Sequence, residues 1–118
     1  MKKRPQSIPS TTIKVKVGCG SLYVTIGVVD NGIVEIFTVL GKSGGCPACF
    51  LKTLSMMIAV SIRGGTPMGD IIKHLIGQRC PSPSFDDSVQ YLSCPDAIGQ
   101  VLRDKQKELK DIDSIREE

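Results

Sequence analysis

At 118 residues the chain has room for one modest core, and two domains are excluded. Hydrophobic residues make up 41% and aromatic residues only 4%, without tryptophan, so that core must be built from Val, Ile, Leu and Met. A formal charge of +3 is a mild excess, part of it in the leader MKKRP, and gives no ground for a DNA or RNA polymer as partner.

No stretch has the length and purity of a membrane span, and the basic start continues as QSIPSTT rather than as an apolar signal core. The expectation is a cytoplasmic protein with no membrane partner. Five cysteines is an odd number for a disulfide framework, so reduced thiols are the default.

Residues 1–11 are basic, polar and proline-containing and read as a disordered leader. From Thr12 the pattern alternates: IKVKV puts Ile13, Val15 and Val17 on one face and Lys14 and Lys16 on the other, a strand with one wet side. SLYVTIGVV runs to DNG at residues 30–32, a tight-turn signal, and IVEIFTVL follows as its partner. These make a three-stranded antiparallel meander.

After GKSGG the period becomes helical. Phe50, Leu51, Leu54, Met57, Ile58 and Ile62 return every three or four residues, which predicts a helix over 46–63 as the main cover of the sheet. Gly64 and Gly65 end it, and Thr66 with Pro67 offers an N-cap and first turn for a short helix to Leu75, stopped by Gly77.

RCPSPSFDDSVQY, residues 79–91, reads as a loop. In YLSCPDAIGQ, Ser93 is an N-cap, Pro95 suits the first turn, and Asp96 can answer the cap with its carboxylate, so a helix runs to about Lys110. Residues 111–118 form a charged tail that is solvated or frays. The fold class is α+β: a three- to four-stranded antiparallel sheet covered by two or three helices, in a single domain over 12–110.

GCGSLYVTI, GKSGGC, SIRGG, GQRCPSP and LSCPDAI, in this order and spacing, resemble the TSCPD domain, over residues 13–102. That module ends adenosylcobalamin-dependent ribonucleotide reductases and also exists as a small free-standing protein. Leu92 stands in place of the motif's threonine, and Lys52 and Met56 stand where the reductase version often has an acidic residue and an arginine. Reductase activity itself is excluded on chemical grounds: 118 residues cannot build the barrel that holds a thiyl radical, substrate and cobalamin. No cysteine follows Cys94, so the reductases' redox tail is not in this sequence.

The resemblance also implies that Cys19, Cys46, Cys80 and Cys94 fall at the domain's cysteine positions. Four thiolates could form a zinc site, yet structural zinc usually takes its ligands in close pairs, and these are scattered. The close pair is Cys46 and Cys49 in CPAC, a C-x-x-C at a helix start where a thiol pKa would fall. The reading favoured here is that the four family cysteines are reduced and mostly buried as small hydrophobes, with no metal and no cofactor.

Catalytic residues are not expected. The one histidine, His74, reads as a surface or packing residue, and Asp86 and Asp87 as solvated loop carboxylates. Anion binding has better candidates. Lys42, Ser43 and Gly44 lead directly into a helix, where backbone amides can face a phosphate, although a plain loop-to-helix junction reads the same way. Arg63 closes an apolar helix, where it either complements the helix dipole or offers a fixed guanidinium to phosphate. Arg79, Arg103 and Phe85 could add cations and one stacking ring.

Two functions follow. The first is a non-catalytic nucleotide-binding protein. A detached module of this kind is similar to phage counter-defence proteins that sequester cyclic signalling nucleotides, cyclic ADP-ribose products of Thoeris immunity and cyclic oligonucleotides among them. That resemblance implies a homo-oligomer with sites between subunits, working in the host cell cytoplasm if phage-encoded. The second is a structural or redox accessory module for a reductase encoded elsewhere, with zinc as an option.

Overall fold

In a computed structural model the described residues are 6–41, 45–81, 83–86 and 88–117, of which 45–47 and 113–117 are described in backbone only. Three strands come first: β1 (Ser10–Val17), β2 (Gly20–Val29) and β3 (Gly32–Gly41). They form an antiparallel sheet in the order β1-β2-β3. β1 takes in Ser10 and Thr11, which the pattern left to the leader, and the Pro9 carbonyl accepts from the Val28 N–H at 3.0 Å. The β2–β3 turn has positive φ at both Asp30 (52°) and Asn31 (63°), the geometry a two-residue hairpin needs to match strand twist. Asn31 Nδ2 then donates to the Leu109 carbonyl, tying the hairpin to the last helix.

The register places Ile13, Val24 and Thr38 abreast, and likewise Val15, Leu22 and Leu40. These point inward and are buried or packed on the core, whereas Lys14, Tyr23 and Val39 face outward and are exposed. α1 (Gly45–Arg63) lies along β3, and α3 (Cys94–Glu117) reaches all three strands, so the cover is shared between two helices. α1 can approach β3 closely because small polar groups meet at its centre: Thr38 Oγ1 donates to the Leu51 carbonyl and shares a hydrogen bond with Ser55 Oγ.

α2 (Met68–Leu75) packs on α3, and it begins at Pro67 without a side-chain cap, so Thr66 does not do the capping its position suggested. Gly77, at φ 90°, turns the chain after it. Residues 79–91 are not simply a loop. They hold a small antiparallel hairpin, β4 (Ser84–Asp86) with β5 (Val89–Tyr91), set beside β1. Asp86 Oδ2 accepts the Lys16 N–H at 2.9 Å, which uses a free amide of the β1 edge. α3 also outruns its expected end and carries the charged tail as helix to Glu117.

Candidate functional site

The SCPD segment sits where α2, the 76–80 connection and α3 meet. The Asp96 N–H donates to Ser93 Oγ at 3.0 Å, the N-cap bond the sequence promised, and Ser93 Oγ donates onward to the Gln78 carbonyl at 2.6 Å. The Asp96 carboxylate does something else. Its Oδ1 accepts from the Gly77 N–H at 2.9 Å, while Oδ2 accepts from the Leu92 N–H at 2.9 Å and from Gln100 Nε2 at 2.8 Å. At 2% exposure a carboxylate needs that many donors, so Asp96 pins the α2–α3 corner rather than closing a capping box. Gly99 lets the helices come together: a Cβ there would lie 2.9 Å from both Leu75 Cβ and Ile76 Cγ1.

Three thiols gather beside this corner. Burial pushes the Cys94 thiol up to about 11, and negative charge on nearby Cys19 and Cys80, with a hydrogen bond to Cys19, adds to the rise. Cys94 packs on the core, as a small apolar group in the first turn should. The expectation of general burial is corrected, however: Cys19 is exposed in the β1–β2 turn, and Cys80 and Cys94 are only half-buried. A turn of glycines has no bulk with which to cover the Cys19 sulfur. Cys49 is exposed and unpaired; the Cys46 side chain lies outside the described residues. Among the described residues no group of three or more His, Cys, Asp or Glu side chains is placed to hold a metal ion.

The second candidate region is at the opposite edge of the sheet. A cleft of about 670 Å³ lies along the β3 edge and α1, lined by Glu35 to Leu40 of β3 and by Met56, Ala59 and Val60 of α1, with Lys52 and Arg63 as its cations and Glu35 as its carboxylate. Arg63 is held there by the helix end. Gly65 takes φ 93°, its N–H bonds the Ile62 carbonyl, and the Thr66 N–H bonds the Ser61 carbonyl, the paired bonds of a Schellman stop. The guanidinium is therefore anchored on a backbone with little freedom.

The other sequence candidates are dispersed. Lys42, Ser43 and Gly44 lie outside the described residues. Arg79 is exposed before the β4–β5 hairpin, and Phe85 is 68% exposed on it, at the β1 side of the sheet. Arg103 is on the exposed side of α3, 3.5 Å from Asp104. None of these three lines the cleft that holds Arg63. His74 Nδ1 donates to the Asp70 carbonyl at 2.7 Å within α2.

Sequence reasoning missed Lys52 and the apolar walls. The signal was present, since IVEIFTVL puts Phe37 and Val39 on the face opposite Ile36 and Leu40, and a half-wet strand should not be apolar on both.

Among family models, the one described as TSCPD domain matches residues 1–106. No curated protein matches the chain, and no solved structure does.

Proposed function

The chain belongs to the TSCPD domain family, and from that premise we propose that it is a non-catalytic nucleotide-binding protein that sequesters cyclic signalling nucleotides, cyclic ADP-ribose isomers or cyclic oligonucleotides, and so blocks antiviral defence. The observation that carries this reading is the β3–α1 cleft. Its volume of about 670 Å³ suits a small-molecule ligand, and its lining combines apolar groups, fit for a base, with the cations Lys52 and Arg63, fit for phosphates, beside one buried carboxylate, Glu35. Arg63 is the residue assigned to the phosphate. A sponge acts by mass action alone, so binding without turnover is its entire activity, and no side chain is assigned a catalytic role.

The test is to purify the protein from cells making such nucleotides, release bound molecules by heat, and identify them by mass spectrometry. Recovery of an intact cyclic nucleotide near stoichiometry supports the reading. Protein from the same cells that releases none contradicts it.

The alternative is the accessory module: Cys94 lies near Cys19 and Cys80, from three separate parts of the chain, although among the described residues no three such side chains are placed to hold a metal ion. Elemental analysis of the same preparation separates the two, since stoichiometric zinc without nucleotide supports the accessory module.

A further inference from the structure

Cys19 and Cys94 are far apart in sequence and meet in the fold. Cys19 stands in the two-residue turn that Gly18 and Cys19 make between the paired residues Val17 and Gly20, and it is exposed. Cys94 is the first residue of α3, half-buried and packed on the core behind the Ser93 cap. A hydrogen bond joins the two thiols, so their sulfurs are in direct contact. Each is also held by its own backbone, a strand pair on one side and a capped helix on the other. Cys80 stays alongside through the bond from its N–H to the Leu92 carbonyl at 3.0 Å. Packing accounts for Cys94 but not for Cys19, whose side chain is open to solvent and lies outside the β3–α1 cleft.

We propose that Cys19 and Cys94 form a thiol–disulfide exchange site: a low-molecular-weight disulfide such as oxidised glutathione reacts at Cys19, and Cys94 then closes a bond between the β1–β2 turn and the first turn of α3. The proposal rests neither on nucleotide binding nor on the accessory reading.

The reaction takes two steps. Cys19 loses its proton to solvent and its thiolate attacks one sulfur of oxidised glutathione; that S–S bond breaks, and one glutathione leaves as a thiolate. The Cys94 thiolate then attacks the Cys19 sulfur of the mixed disulfide and expels the second glutathione. Two protein thiols are oxidised, and one small disulfide is reduced to two thiols. Access sets the order, since the reagent reaches exposed Cys19 while half-buried Cys94 must wait for a sulfur brought to it. Burial keeps Cys94 protonated, but the charge and hydrogen bond of Cys19 that add to this effect end once Cys19 is bonded to glutathione. A sulfur already in contact also reacts at an effective concentration no free thiol attains. The finished bond closes a long loop of chain and restricts the unfolded state, so the oxidised protein should be the more stable form.

The test uses the full-length chain with Cys46→Ser and Cys49→Ser, which removes the CPAC pair as a competing source of disulfide. It is incubated with oxidised glutathione at about pH 8, digested without reductant and mapped by mass spectrometry. The expected product is a Cys19–Cys94 linked peptide from protein lighter by about 2 Da, the loss of two hydrogens, with no glutathione retained. Its unfolding temperature should exceed that of the reduced protein and fall back on reduction. Adding Cys19→Ser should slow modification of Cys94 at least about tenfold with unchanged circular dichroism. Glutathione that stays on Cys19, a bond from Cys19 to Cys80 instead, or a lower unfolding temperature on oxidation overturns the proposal.

Discussion

The two ends of the molecule are built by opposite rules. At the α2–α3 corner, Asp96 is buried and takes bonds from Gly77, Leu92 and Gln100, and Gly99 leaves no space between the helices. At the β3–α1 edge, Phe37, Val39, Met56 and Val60 stand open around a cleft, and Arg63 reaches it from a fixed helix end. Saturated polar groups and tight packing signify stability. Open apolar walls with a few cations signify binding. The SCPD residues that mark the family therefore serve the scaffold, and under the proposed function the nucleotide site lies outside that segment.

The comparison predicts where substitutions act. Asp96→Ala should have the largest effect on stability, about 3 kcal/mol by urea unfolding, because the Gly77 and Leu92 amides lose their acceptor in a part-buried setting. A loss under 1 kcal/mol would remove the claim that this corner holds the fold together. Gly99→Ala should cost about 2 kcal/mol through overpacking against Leu75 and Ile76, which a shift in melting temperature reads directly.

Cys94→Ala should cost only about 1 kcal/mol, as for a small trimmed side chain. The Cys94 thiol also makes a pH prediction. Its folded value of about 11 lies above the ordinary 9.0, so the folded state holds the proton more tightly. Stability from this group is complete below pH 9 and is lost as pH rises through about 11, an effect absent from Cys94→Ala. Under alkylation at pH 8, exposed Cys19 and Cys49 should react before Cys94. Arg63→Ala should be the mildest for the fold, within about 0.5 kcal/mol as for a surface change, while removing nucleotide binding.

Local signals carried much of the fold. The DNG turn takes the two positive φ values it requires, the helical period placed α1 within one residue of its start, and Ser93 caps α3 as its type suggests. What was not legible depended on distant partners. The β4–β5 hairpin exists because Asp86 finds the Lys16 amide, 70 residues away in sequence, and proline and serine content around it gives no hint of that bond. Asp96 turned from its own cap to Gly77 and Leu92 because packing brought those amides within reach. For the site, Arg63 lies in the cleft, whereas Arg79, Phe85 and Arg103 do not, because a cationic or aromatic residue type carries no spatial information.

Calorimetric titration of cyclic ADP-ribose isomers and cyclic oligonucleotides into the wild-type protein and Arg63→Ala tests the central claim most directly. The account predicts saturable binding of at least one of these ligands to wild type, recovery of the ligand intact, and no measurable heat with Arg63→Ala at unchanged unfolding temperature. Wild-type protein that binds none of them, or an Arg63→Ala variant that binds as tightly as wild type, would contradict it.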